Sequence, residues 1–148
     1  PVNLFRIANE SISYVIGEIN DGMPEITLNV TEEIMVMGQE EKISQVFVNL
    51  IQNASRFTRQ NGLITITAKQ YDNDIVEVSV SDTGMGIAPE HLAHVFERFY
   101  KVDRSRRDGG TGLGLSIVKH LVQAQGGEVF VDSVEGEGST FKFTLPVA

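Results

Sequence analysis

The chain has 148 residues, 41% hydrophobic and 22% charged, with a formal net charge of −8; that length and balance fit one globular domain able to bury a core. The lack of cysteine excludes disulfides, thiolate catalysis and cysteine metal sites, and no apolar run approaches the roughly 20 residues of a membrane-spanning helix. The acidity argues against general nucleic-acid binding, no signal peptide is visible, and the opening on Pro1 rather than Met reads as a piece of a longer protein.

In chain order, residues 4–15 carry apolar side chains at 4, 5, 7, 8, 12 and 15, the spacing of an amphipathic helix. Asp21-Gly22-Met23-Pro24 predicts a turn. Residues 25–30 alternate, with Ile26, Leu28 and Val30 on one face, and predict a strand; residues 34–37 predict a short second one. Residues 41–57 predict a helix whose stripe is Ile43, Val46, Phe47, Leu50, Ile51, Ala54 and Phe57. Asn61-Gly62 turns the chain into residues 63–70, with Ile64, Ile66 and Ala68 inward, and Asp72-Asn73-Asp74 turns it again into residues 75–82 as a hairpin. Residues 89–96 predict a short helix with proline in its first turn. Residues 115–125 predict another, stopped by Gly126-Gly127. Residues 128–133 and 139–145 form a last hairpin around Glu135-Gly136-Glu137-Gly138. The sum is a single α+β domain over residues 1–148, a two-layer sandwich with a mixed, mostly antiparallel sheet and helices on one face.

Four features carry chemistry. Residues 98–107 hold five basic side chains (Arg98, Lys101, Arg104, Arg106 and Arg107) against one acid, Asp103, in a chain that is acidic overall. The island runs into Gly109-Gly110-Thr111-Gly112-Leu113-Gly114 and then a helix. Positive charge, bare backbone N–H groups and a helix start together suit a phosphate ester. A solvated surface loop is the alternative for the basic island taken alone. The glycine run lacks the Lys-Ser/Thr of a Walker loop and does not directly follow a strand, which argues against a dinucleotide-binding Rossmann unit.

Asn49 and Asn53 share a helix face beside the apolar stripe, with Arg56 on the same side. Two amides and a guanidinium there would suit a phosphate and its Mg²⁺, a cation that accepts hard oxygen ligands and keeps several waters. A polar solvent-facing flank is the other reading. Asp82 ends a strand whose inward set is Val76, Val78 and Val80, so parity points it to the core side as the chain breaks into Thr83-Gly84-Met85-Gly86. A carboxylate there needs a donor, and the exocyclic amine of adenine is one, with Gly84 and Gly86 leaving room for a flat base. An Asp that caps its own turn is the bland alternative.

These pieces in this order resemble the catalytic, ATP-binding domain of bacterial sensor histidine kinases, over nearly the whole chain. Asn49-Leu50-Ile51-Gln52-Asn53-Ala54 is similar to the family's N box, and Asp82-Thr83-Gly84-Met85-Gly86-Ile87 to its first glycine box. Phe96-Glu97-Arg98-Phe99-Tyr100-Lys101 resembles the F box, Gly110-Thr111-Gly112-Leu113-Gly114-Leu115 the second glycine box, and Gly136-Glu137-Gly138-Ser139-Thr140-Phe141 the terminal strand. The resemblance implies the Bergerat ATP-binding fold, shared with gyrase, the ninety-kilodalton heat-shock chaperones and MutL. It also implies site roles. Asp82 would bond the adenine amino group, Asn53 would hold Mg²⁺ with Asn49 helping, Arg56 and Lys101 would face phosphate oxygens, and Phe57 would lie against adenine. Gly84, Gly86, Ile87, Phe99, Tyr100, Gly110, Thr111, Gly112, Leu113, Gly114, Leu115 and Thr140 would complete the nucleotide contacts. Residues 99–113 would form a mobile lid. Strict alternation puts Thr140 opposite Phe141 and Phe143, so its part requires a bulge or a sheet edge.

The sequence departs from the family at three points. Arg56 stands where Lys is usual, Phe57 where Tyr is usual, and Gln39 where an Asp commonly precedes the N-box helix. The first two keep charge or ring, and the third weakens a helix cap. Hydrolytic relatives place a Glu where this chain has Asn49, and an amide cannot act as a general base. The resemblance therefore implies a domain that keeps the γ-phosphoryl for a protein acceptor. That acceptor is a histidine on a separate dimerisation domain, from which the phosphoryl passes to a response regulator. The expected parent is anchored in the bacterial membrane with this domain in the cytoplasm, monomeric when isolated and touching neither membrane nor nucleic acid. His91, His94 and His120 are read as surface or packing residues that do not become phosphorylated. A serine kinase of the anti-sigma type and a non-transferring ATP-gated clamp or binding module are the alternatives.

Overall fold

A computed structural model describes residues 1–18, 23–59, 61–100 and 114–148. In order, the elements are β1 (Val2–Asn3), α1 (Leu4–Glu18), β2 (Glu25–Asn29), β3 (Met35–Val36), α2 (Glu40–Phe57), β4 (Leu63–Tyr71), β5 (Ile75–Asp82), α3 (Pro89–Leu92), α4 (Gly114–Ala124), β6 (Val129–Val134) and β7 (Gly138–Pro146). Five strands form the main sheet in the order β2-β4-β5-β7-β6. β2 runs parallel to β4, and the other three pairings are antiparallel.

Alternation along the strands divides the sheet into two faces. Ile64, Ile66, Val76, Val78, Val80, Phe141, Phe143 and Leu145 are buried under the helices. Their neighbours Thr65, Thr67, Ser79, Ser81, Thr140, Lys142 and Thr144 point the other way and remain half-exposed. α2 packs against both α1 and α4. Its stripe Ile43, Val46, Phe47, Leu50, Ile51 and Ala54 is buried, and the Phe47 ring meets Phe143 of β7 edge to face, with centroids 5.5 Å apart. This contact ties the middle helix to β7. Gln39 precedes α2 without a side-chain cap; its backbone N–H donates to Gln125 Oε1 at 2.8 Å instead.

One expectation changes and one pairing is new. The helix expected over residues 89–96 is helical only at Pro89–Leu92. Beyond it the backbone makes separate turns, in which N–H groups reach back three residues: His94 to His91, Glu97 to His94 and Tyr100 to Glu97. The apolar spacing of Leu92, Val95 and Phe96 survives these turns, because Val95 is buried and Phe96 packs on the core. The short strand near residue 35 pairs with β1, which lies just ahead of α1. A two-residue ladder carries no periodicity, so the sequence does not announce it.

Candidate nucleotide site

α2 positions the N-box residues. Asn49 and Asn53 are half-exposed on the flank of the buried stripe, and Arg56 is exposed. Asn49 Nδ2 donates to the Gly114 carbonyl at a long 3.5 Å, which brings the start of α4 to this flank. Among the described residues Asn53 makes no side-chain hydrogen bond and Arg56 no ion pair. The Asn53 carbonyl oxygen is thus available as a hard ligand. No cluster of three His, Asp or Glu able to hold a metal exists among the described residues. A single amide oxygen fits Mg²⁺ carried by phosphates and waters, and does not fit a cage of protein carboxylates.

Asp82 ends β5 on the buried face and is only 8% exposed. Its Oδ1 accepts the Gly84 N–H at 2.9 Å. Burial pushes the carboxyl above the usual aspartate range, and the backbone N–H groups of Gly84 and Ser139 offset part of that. A carboxylate has room for about four donors, so these two leave acceptor capacity for an amine.

The loop after Asp82 folds onto the end of α2. The Met85 N–H donates to the Phe57 carbonyl at 3.3 Å, and the Gly136 N–H to the Met85 carbonyl at 2.7 Å. At both glycines the place a Cβ would take belongs to backbone. A Cβ at Gly84 would collide with the Phe57 carbonyl, and one at Gly86 with the Val134 carbonyl, where φ is also +72°. These glycines let the loop pass close to the end of α2 and to β6, so that the Phe57 carbonyl and the Asp82 carboxylate meet beside Gly84. Ile87 is buried, and its N–H donates to Ser133 Oγ at 2.7 Å.

The expectation for Thr140 is corrected. The register of β7 against β5 runs unbroken from Ile75↔Pro146 to Asp82↔Ser139, so no bulge turns Thr140 round. Thr140 lies on the far face and bonds Ser81 Oγ at 2.9 Å. At this level Asp82 shares its face with Ser139, buried and 2.8 Å from Ser133 Oγ. Ser139 and Ser133 are the polar residues the sequence reading passed over, although parity from Asp82 leads to Ser139. Thr58, next to Phe57, also went unremarked; among the described residues its buried hydroxyl has no partner.

The F-box segment is anchored from the same end of the sheet. Phe96 sits edge-on to Phe141, with centroids 6.0 Å apart. Phe99 is 65% exposed with φ of +62°, and Tyr100 is half-buried. Gly114 opens α4, and Leu115 packs against the core. Lys101, Gly110, Thr111, Gly112, Leu113 and the rest of the expected lid beyond Tyr100 fall outside the described residues.

A family model described as "Histidine kinase-, DNA gyrase B-, and HSP90-like ATPase" matches residues 38–148. The chain belongs to that family. Among relatives it is 43% identical over 117 residues to the sensor histidine kinase WalK of Bacillus subtilis, covering 77% of this chain and 19% of that protein. It is 38% identical over 138 residues to the adaptive-response sensory kinase SasA of Crocosphaera subtropica, covering 90% and 36%. The chain thus spans about a fifth to a third of the length of these relatives. Among solved structures it superposes on a mycobacterial sensor histidine kinase, MprB, with a TM-score of 0.88 and 29% identity, over 99% of this chain and 97% of that one. It superposes on full-length ShkA in complex with AMPPNP with a TM-score of 0.81 and 34% identity, over all of this chain and 31% of that one. The domain is therefore an ATP-binding catalytic domain of the sensor histidine kinase type, with the mixed sandwich fold of that family.

Proposed function

We propose that this domain binds Mg·ATP and delivers the γ-phosphoryl to a histidine on the dimerisation domain of its own parent, which then loads a response regulator. The observation that carries the reading is Asp82, a carboxylate at the polar end of an otherwise apolar sheet face, held by two backbone N–H groups and still able to accept another donor. Asp82 selects adenine through its amino group, Phe57 offers a ring face, and Ser139 replaces Thr140 as the hydroxyl at that level. Asn53 holds Mg²⁺, which screens the phosphate charge when bound. Arg56 and Lys101 meet phosphate oxygens, and the backbone of residues 110–115 approaches them. The protein supplies position and electrostatics and forms no covalent intermediate of its own.

Asn49 supports transfer over hydrolysis. Its amide donates to the start of α4 and offers no base to water. The parent is proposed to be a bacterial sensor kinase with this domain on the cytoplasmic side. No helix among the described residues is long and apolar enough to cross a membrane.

The deciding experiment follows γ-labelled ATP through a mixture of this domain, the parent's His-bearing helical hairpin and Mg²⁺. Acid-labile label on the hairpin is expected. Acid-stable label on a partner would make it a serine kinase. Release only as free phosphate would make it an ATPase and overturn the argument from Asn49.

A further inference from the structure

His91 and His94 read from the sequence as residues without a role, yet both converge on Tyr100. The turns from Ala88 to Tyr100 are closed by N–H bonds three residues apart, at His91, His94, Glu97 and Tyr100. The Tyr100 ring nevertheless comes back to within 5.7 Å of the His91 ring, centroid to centroid, so these turns curl instead of extending as one straight helix. The curl brings the Tyr100 hydroxyl to His91 Nδ1, and the two share a hydrogen bond. The His94 ring stacks on the Tyr100 ring at 5.3 Å with a 30° tilt. Each histidine also has an acid nearby. Glu90 Oε1 lies 3.8 Å from His91 Nε2, and Glu97 bonds His94 Nδ1.

The segment is fixed at one further point, where Phe96 docks on Phe141; Phe99, between Phe96 and Tyr100, is exposed and has a left-handed backbone, with φ of +62°. With Phe96 anchored on one side, the His91–Tyr100 bond is the anchor on the other. Together with the His94 stack it holds the Tyr100 ring in one direction.

We propose that His91 is a positioning residue for nucleotide binding, acting through the Tyr100 hydroxyl, with His94 as the stacking support. The inference rests on the proposed ATP site, to which the F-box resemblance assigns Tyr100. The binding of Mg·AMPPNP by the 148-residue chain, measured by calorimetry, tests it. His91→Leu and Tyr100→Phe are each expected to weaken binding about five- to tenfold, the worth of one well-placed hydrogen bond. The double variant is expected to be no weaker than the weaker single one, because both remove the same bond. His91→Asn, whose amide reaches the place of Nδ1, is expected to recover binding to within about twofold of the parent chain.

Unchanged affinity in either single variant, additive losses, or no recovery in His91→Asn would each overturn the role. Should His91→Leu melt early, Tyr100→Phe, which keeps the ring, and His91→Asn decide the matter by themselves. If the parent chain itself does not bind Mg·AMPPNP, the ATP-site reading falls first and takes this inference with it; normal parent binding with indifferent variants removes the inference alone.

Discussion

The two ends of the buried sheet face are built from the same alternation and do opposite things. At one end Val76, Phe143 and Leu145 are sealed under the helices, and Phe47 of α2 closes on Phe143. At the other, the same parity delivers Asp82 and Ser139, polar groups in positions that elsewhere hold only apolar side chains. The first end follows the hydrophobic pattern and stabilises the fold. The second violates it, and a buried carboxylate with a raised pKa costs stability at neutral pH. A polar residue that continues an inward series is therefore a better pointer to the site than one on the far face.

The largest effect should come from the apolar end. Phe143→Ala is expected to cost about 3–5 kcal/mol in unfolding free energy, while the molecules that remain folded keep their nucleotide affinity. Denaturant titration and calorimetry read the two separately, and a selective loss of affinity would erase the distinction between the ends.

Asp82→Asn should invert that result, with affinity for Mg·AMPPNP falling roughly 100-fold and stability at pH 7 equal or higher. The pH profile gives the sign independently. A folded-state pKa above the unfolded value means that the folded chain holds the extra proton, so stability falls as pH rises from the ordinary aspartate value to the raised one. Melting curves across that window should slope downward in the parent chain and lose that contribution in Asp82→Asn.

The finer contrast lies between neighbours on β7. Ser139→Ala, on the Asp82 face, is expected to cost about 1 kcal/mol in nucleotide binding. Thr140→Ala, on the far face, should change binding by less than about 0.5 kcal/mol. A larger loss at Thr140 would mean that β7 is bulged or shifted when nucleotide is bound.

Most of the sandwich was legible because its signals are long. α2 spans 18 residues with a continuous stripe, and β4, β5 and β7 alternate over eight or nine residues each. Asp82 was legible for the same reason, since it continues the series of Val76, Val78 and Val80. What escaped was short or depended on contacts distant in sequence. The pairing of β1 with β3 involves two residues. The curl after α3 keeps a helical apolar spacing while using different hydrogen bonds. The purpose of Gly84 and Gly86 depends on carbonyls at Phe57 and Val134, which no local pattern names. The Thr140 carry-over failed against a rule already in hand, the period of two.

α2 carries two obligations on one cylinder. Its stripe is packed against α1, α4 and the sheet, while Asn49, Asn53 and Arg56 sit on the adjoining flank. A one-residue insertion or deletion within the helix would turn everything beyond it by about 100°, misplacing core and site in a single event. The β4–β5 turn at Asp72, by contrast, is exposed and lies at the end of the strands away from Asp82. Length variation among descendants of this domain should therefore gather at that turn and be purged from α2, so that gaps in the lineage trace the boundary of the catalytic machinery even where the amino acids themselves have drifted.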